Sequence, residues 1–155
     1  MKEVESKYEK LRKKHNLPKL EILRKEFGIK LEDPDLILQD IINKMKDELL
    51  DRARILESIV FVRTSSNPSS LYEAKMLEER KDEAFEIFKQ LMSIARGAEK
   101  IVIAKDNHMI SFIKDTHNKW TKKLKINFVE ICELLEKKWK NAEIGKNQLT
   151  LMYHG

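Results

Sequence analysis

Apolar side chains recur at helical spacing through the middle of the chain, from Pro34 to Val62. One stripe follows steps of three and four residues and has Arg52 as its polar interruption; its members are Leu38, Ile42, Met45, Leu49, Leu56 and Ile59. A second, shorter stripe consists of Ile37, Ile41 and Ile55. This periodicity predicts a long helix with two apolar faces, capped by Asp33. Such a helix needs neighbours on both sides.

The rest of the pattern supplies those neighbours. Helices are predicted over residues 2–15, 18–27, 70–96, 98–125 and 127–145. We expect a glycine to end three of these helices, at Gly28, Gly97 and Gly145. Asn127 is the predicted cap of the last one. The first helix has only a thin apolar strip, so it either docks on the body or frays over residues 1–16. Residues 146–155 are expected to form a tail.

Only four glycines and three prolines occur among 155 residues, too few for the many turns of an all-β protein. We therefore predict an all-α fold, a mostly antiparallel bundle of four main helices with short helices at the N-terminus. The length suits a single domain over residues 1–155 with its own hydrophobic core. Four side chains are expected where the two longest helices meet: Leu49, Leu56, Phe85 and Phe88.

Several features favour the cytoplasm. The N-terminal residues lack the apolar segment of a signal peptide, and no apolar run approaches the roughly 20 residues that span a membrane. Cys132 is the single cysteine, which excludes an internal disulfide and suits a reducing compartment. We expect a soluble cytoplasmic protein without a membrane partner.

The segment from Leu17-Pro-x-x-Glu21 through Phe27-x-Ile29 leads into the long helix and then into a serine-rich loop. This arrangement resembles a group of small archaeal all-helical proteins whose function is uncharacterised. The likeness covers about residues 17–97. It implies a helical bundle and supplies no functional residue to transfer.

The residue spacings argue against several kinds of catalytic and metal site. His108 and His117 are nine residues apart and would point in different directions on one helix. No glutamate precedes a histidine at the spacing of di-iron bundle proteins. His117 falls near an inner face and is expected to be a hydrogen-bonded interfacial residue, while Cys132 falls in an apolar stripe, typical of an unreactive thiol. We expect no enzymatic activity, no cofactor and no metal ion.

The loop after the central helix is a candidate site for a small anion. It combines a guanidinium group and hydroxyls beside a helix N-terminus, from Arg63, Ser65, Ser66, Ser69 and Ser70. A capped interhelical turn requires the same residue types, with Asn67 or Ser70 as the cap. We favour the capped turn, because caps are far commoner than anion sites.

Positive charge is concentrated at the two ends of the chain. Residues 1–32 hold 10 basic and 6 acidic side chains (+4), residues 33–113 hold 12 and 15 (−3), and residues 114–155 hold 9 and 5 (+4). The C-terminal lysines form a candidate nucleic-acid face: Lys119, Lys122, Lys123, Lys125, Lys137, Lys138 and Lys140. Trp120 and Trp139 lie among them and could stack on bases. Both tryptophans also fit the apolar stripes of their helices, so burial in the core is the favoured alternative.

These patterns favour a non-enzymatic interaction or adaptor protein that binds another protein or a second copy of itself. A symmetric dimer is expected if Ile37 and Ile41 stay uncovered by the rest of the chain. The alternative function is nucleic-acid binding through the basic C-terminal lysines.

Overall fold

The computed structural model describes residues 2–105 and 107–143. Among them every regular element is helical, which confirms the predicted all-α fold. The α-helices are α1 (Lys2–His15), α2 (Leu20–Phe27), α3 (Ile37–Val60), α4 (Pro68–Met76), α5 (Lys81–Ala104), α6 (Met109–Lys119) and α7 (Lys125–Lys140). A 3₁₀ turn, Glu78–Arg80, joins α4 to α5, and a π-helical turn, Trp120–Leu124, joins α6 to α7.

The core is built around an antiparallel pair, α3 and α5, each 24 residues long. These two helices contact each other more extensively than any other pair of elements in the described chain. Leu49 and Leu56 of α3 are completely buried, as predicted, and so is Leu91 of α5. Each buried leucine stabilises the fold by about 1.5–3 kcal/mol relative to an exposed one. On α5 the small side chains of Ala95 and Ala98 are also fully buried.

The first helix is docked on the body. Val4 and Tyr8 are buried, and the Tyr8 hydroxyl donates a hydrogen bond to the carbonyl oxygen of Pro18 at 2.5 Å. Arg24 of α2 forms an ion pair with Glu5 of α1 at 2.7 Å. Burial raises the pKa of Tyr8 to about 12, so the ring stays neutral at physiological pH. Of the two outcomes expected for the N-terminal helix, docking is therefore the observed one.

The ends of α2 and α3 test the predicted caps. Gly28 ends α2 in the left-handed conformation, with φ at 64°, as predicted. Asp33 does not cap α3. Its Oδ1 accepts a hydrogen bond from the backbone N–H of Asp35 at 2.9 Å, which closes a turn ahead of the helix. As a result α3 begins at Ile37, later than the sequence predicted, and ends two residues early.

The second apolar stripe of α3 is covered only in part. Ile37 and Ile41 are 4% and 0% exposed, whereas Ile55 is 50% exposed. The chain's own helices therefore cover the two residues on which the expected dimer depended. The condition for a dimer through this stripe is not met.

Two helices, α4 and α5, take the place of the single helix predicted over residues 70–96. The break falls at the start of a run of charged residues, where the 3₁₀ turn lies. Asn67 caps α4, because its Oδ1 accepts the backbone N–H of Ser70 at 3.0 Å and Pro68 occupies the first helical position.

Gly97 does not end its helix, and this prediction is wrong. The helix continues to Ala104 because its apolar face continues through Ala98 and Ile101, both buried. Burial of that face outweighs the cost of a glycine inside a helix, which is about 1 kcal/mol. The following helix, α6, consequently begins at Met109 and not at residue 98.

α6 and α7 form one continuous helical rod, and Asn127 lies within α7 instead of capping it. Buried residues around the junction are spaced by four, at Thr116, Trp120, Leu124 and Phe128. In a regular α-helix, successive steps of four rotate the side chains away from one face, because a turn holds 3.6 residues. The π-turn holds about one residue more per turn, so it keeps these side chains in line.

Among the described residues α7 ends at Lys140. The end predicted at Gly145 and the tail over residues 146–155 lie outside the described part of the chain. None of the described helices is both long enough and apolar enough to cross a membrane.

Candidate functional site

A polar cluster that links several helices surrounds Trp120, which is 3% exposed. Its indole Nε1 donates a hydrogen bond to Glu26 Oε2 at 3.2 Å, and Lys125 Nζ donates to Glu26 Oε1 at 2.8 Å. The guanidinium carbon of Arg52 lies 4.7 Å from the centroid of the Trp120 ring. These contacts join α2, α3, the π-turn and the start of α7, and they account for the polar interruption in the central stripe. We call these four residues the Trp120 clamp.

Arg52 is further held by polar groups at its other edge. Its Nη2 donates to the carbonyl oxygen of Glu26 at 3.3 Å and lies 3.7 Å from Glu48 Oε2. Within the described residues, Arg52 Nη1 and His117 Nε2 are buried nitrogens without a hydrogen-bond partner. His117 therefore lies at a helix interface, as expected, while the hydrogen bond expected from its ring is not formed at Nε2.

The pKa values of Glu26 and of the nearby His117 are both shifted. Burial alone would raise the pKa of Glu26, but the hydrogen bonds from Lys125 and Trp120, with the lysine's charge, leave it below its usual value. Burial lowers the pKa of His117, and the charge of Glu26 offsets part of that effect. The carboxylate is thus ionised and occupied by two donors, the arrangement of a structural contact between helices.

The seven lysines of the candidate nucleic-acid face do not form one surface. Lys125 is bound to Glu26, and the lysines at positions 119, 122 and 123 are exposed around the π-turn. The other three follow at the far end of α7, where Lys137 lies about 22 Å along the axis from Lys122. Exposed acidic residues of α7 fall between the two groups: Glu130, Glu133 and Glu136.

Trp139 differs from Trp120 and from the buried position favoured by the sequence. It is 38% exposed and stacks on Tyr72, with centroids 5.0 Å apart and planes inclined by 29°. Its Nε1 donates to Glu73 Oε2 at 3.1 Å. A groove of about 570 Å³ runs beside Tyr72 between α4 and α7, and its rim includes Lys75 with two of the candidate lysines, Lys137 and Lys138.

The candidate anion loop forms a capped turn. Ser66 Oγ accepts the backbone N–H of Arg63 at 2.9 Å, and Asn67 Oδ1 accepts the hydroxyl of Ser69 at 2.9 Å as well as the backbone of Ser70. Ser65 is exposed, and Ser70 is buried. These hydrogen bonds are those of the favoured alternative, a turn between two helices.

An exposed aromatic patch, defined as Phe61, Phe85 and Phe88, lies where α3 ends and α5 begins. Phe61 is 52% exposed and Phe85 is 42% exposed. The Phe61 ring meets the other two edge to face, at centroid distances of 6.0 and 5.4 Å. The prediction that Phe85 lies in the core between α3 and α5 is therefore wrong, and Phe88 is only partly buried.

A signal for this patch was present in the sequence. The apolar stripe of α5 has two parallel rows, one at Ala84, Ile87 and Leu91 and the other one residue later at Phe85, Phe88 and Met92. The first row is buried, and the second lies along its edge. Periodicity does not say which of two adjacent rows the neighbouring helices will cover fully.

No group of three or more histidine, cysteine, aspartate or glutamate side chains in the described residues is arranged to hold a metal ion. Cys132 is half-buried, and burial together with the charge of Glu73 raises the pKa of its thiol.

Comparison of the chain with protein-family models, curated proteins and solved structures found no match. The resemblance over residues 17–97 therefore stays a prediction. We infer function from the exposed surfaces of the described residues instead.

Proposed function

We propose that this is a non-enzymatic interaction protein that docks a protein partner on its aromatic patch. One observation carries the proposal: Phe61 and Phe85 are each about half exposed, and the Phe61 ring contacts both Phe85 and Phe88. Single exposed apolar residues are ordinary, whereas contiguous apolar groups mark interaction sites.

The patch has the properties of a binding anchor. Aromatic side chains dominate interface energetics because each buries a large area at a small cost in conformational entropy. The Phe61 ring packs on the other two rings, and the patch lies where α3 ends and α5 begins, so little further ordering is needed on binding. Each Å² of apolar surface removed from water contributes roughly 25 cal/mol.

The state of the buried ionisable groups supports a role without catalysis. Glu26 is held by Trp120 and Lys125, and its lowered pKa makes it a weak base. Cys132 has a raised pKa, so its thiolate is scarce at neutral pH. The Trp120 clamp accordingly holds helices together, and we assign the binding function to the exposed surface.

Site-specific photo-cross-linking tests the proposal. A benzoylphenylalanine placed at Phe85 should form a covalent protein adduct when the full chain is irradiated in the cell of origin. The matched control is the same label at Ile103, which is 81% exposed on the same helix but about 27 Å away along its axis. An adduct at both positions, or at neither, would overturn the proposal.

Nucleic-acid binding is the second candidate function, and the exposure of Trp139 favours it. The ring is fixed on Tyr72 and lies beside Lys137, Lys138 and Lys140, all exposed. Lysines can neutralise a phosphate backbone while a ring stacks on a base. The buried Trp120 has no such access, so this proposal concerns only the last three of the seven candidate lysines.

Fluorescence anisotropy with a labelled single-stranded oligonucleotide tests the second candidate. Lys137→Glu with Lys138→Glu should abolish binding, whereas the matched pair Lys122→Glu with Lys123→Glu should weaken it little. Trp139 emission should be quenched on binding. A Kd weaker than about 10⁻⁴ M at physiological salt would dismiss this function.

A further inference from the structure

We infer that the partner of the aromatic patch is a second copy of this chain. The inference rests on the proposed docking function and names the occupant of that surface. Its basis is a pair of exposed opposite charges beside the aromatic patch, Glu57 on α3 and Lys89 on α5, which are complementary between two copies.

The contacts of Phe61 fix the relative heights of α3 and α5. Because Phe61 at the end of α3 touches Phe85 and Phe88 near the start of α5, the helices are antiparallel and these residues lie level. Moving back along α3 is therefore equivalent to moving forward along α5. Glu57, one turn before Phe61, consequently lies close to the height of Lys89, one turn after Phe85.

Opposite charges flank the patch on its two helices. Glu57 is exposed on α3 and forms no ion pair within the described part of the chain. Lys89 is exposed on α5 and lies 3.5 Å from Glu86, in a pair whose side chains are both more than half exposed. Such an exposed ion pair contributes little to stability, so Lys89 can leave Glu86 and pair with another carboxylate.

A twofold axis parallel to α3 and α5 would bury the rings and pair these charges. It packs α3 of each copy along α5 of the other, so the two aromatic patches come into contact. Glu57 then faces the partner's Lys89, and the symmetry repeats that pair. A uniformly acidic partner would oppose Glu57 and Glu86, and a uniformly basic partner would oppose Lys89. The resulting arrangement is a four-helix layer made from two α3–α5 pairs, with buried rings and charged pairs at its rim.

Sedimentation equilibrium of the full chain, from about 1 to about 500 μM, tests the inference. The mass should rise from 18.4 kDa towards twice that value. Phe85→Ser should weaken dimerisation at least ~30-fold, since losing a central aromatic anchor costs ~2 kcal/mol or more. Ile103→Ser, at an equally apolar but distant position, should leave the dissociation constant unchanged. Thermal melting confirms that each variant remains folded.

Charge reversal tests the geometry without removing a ring. Glu57→Lys and Lys89→Glu should each weaken dimerisation about 3- to 10-fold, because each creates two like-charge pairs across the twofold axis. The double variant should return to within about twofold of the original. An equal or greater loss in the double variant would overturn this arrangement.

The outcomes separate the inference from the function on which it rests. A monomer at all concentrations, or a dimer insensitive to Phe85→Ser, would overturn the second-copy assignment. If the cross-link from position 85 then reaches a different protein, the docking function stands without self-association. A cross-link between two copies of this chain, absent from the Ile103 control, supports both.

Discussion

Arg52 lies with its guanidinium carbon 4.7 Å from the ring centroid of Trp120, far from it in sequence and on another helix. A cation over a desolvated indole face is stabilising by up to about 2 kcal/mol. The polar residue that interrupts the apolar stripe of α3 is therefore part of the packing between α3 and the π-turn. Glu26 completes the arrangement by accepting the indole N–H and the Lys125 ammonium.

Glu26→Gln should reduce the free energy of unfolding by about 1–3 kcal/mol, because the buried Trp120 N–H and the partly exposed Lys125 ammonium then compete for one neutral acceptor oxygen. Urea denaturation followed by tryptophan fluorescence measures the loss. Glu21→Gln, an exposed position on the same helix, is the matched control and should change the stability by less than about 0.5 kcal/mol. Equal effects at the two positions would show that the Trp120 clamp contributes nothing specific.

Leu49→Ala and Leu56→Ala should each cost about 2–5 kcal/mol, from lost transfer free energy plus a residual cavity. Both side chains are completely buried between α3 and α5. Ile55→Ala, on the same helix but 50% exposed, should cost far less. Thermal and urea unfolding of the three variants checks this order, and an unchanged melting temperature for both leucine variants would contradict the helix pair as the core.

Acidification should destabilise the protein through His117. Its pKa in the folded chain is below the ordinary 6.5, so the unfolded chain takes up the proton first as the pH falls. The free energy of unfolding should therefore decrease below about pH 6.5. Glu26, whose folded pKa is below 4.5, acts in the same direction only at lower pH.

Urea denaturation at about pH 7.5 and about pH 5 brackets the pH range in which histidine side chains take up a proton. His117→Gln should show a smaller loss of stability between the two conditions than the original chain. His15→Gln, at the end of α1, is the matched control substitution. Identical pH dependence in both variants would assign the acid sensitivity to other groups.

Deleting Lys122 from the π-turn should be tolerated, with a change in stability within about 1 kcal/mol, because a regular α-helical turn holds one residue fewer. The shortened chain would place Trp120, Leu124 and Phe128 at alternating steps of three and four, the α-helical pattern. Circular dichroism and urea unfolding measure the result.

Deleting Glu130 is the matched experiment inside the regular part of α7. It rotates the buried residues Ile131 and Leu135 away from the core and should cost about 2–5 kcal/mol or more. Similar losses from the two deletions would contradict the role of the π-turn in keeping the buried face aligned.

Much of the architecture follows from local pattern alone. The all-α class, the burial of Leu49 and Leu56, and the left-handed end of α2 at Gly28 were all predictable from the sequence. Each depends on spacing along one helix or on the conformational freedom of one residue. The steps of four from Thr116 to Phe128 also indicate the π-turn, although Asn127 was the predicted boundary between two helices in that segment.

Only the tertiary structure decided which apolar residues remain outside and which polar residues go inside. Phe85 and Trp139 fit apolar stripes yet are substantially exposed, because the segments that pack on α5 and α7 leave these two positions partly uncovered. Nothing in the local sequence distinguishes Glu26 from other acidic residues, and only the fold brings it to Trp120 and Lys125. Periodicity defines the faces of a helix, whereas burial depends on which distant segment covers each face. That choice is made by packing between elements, which no local spacing encodes.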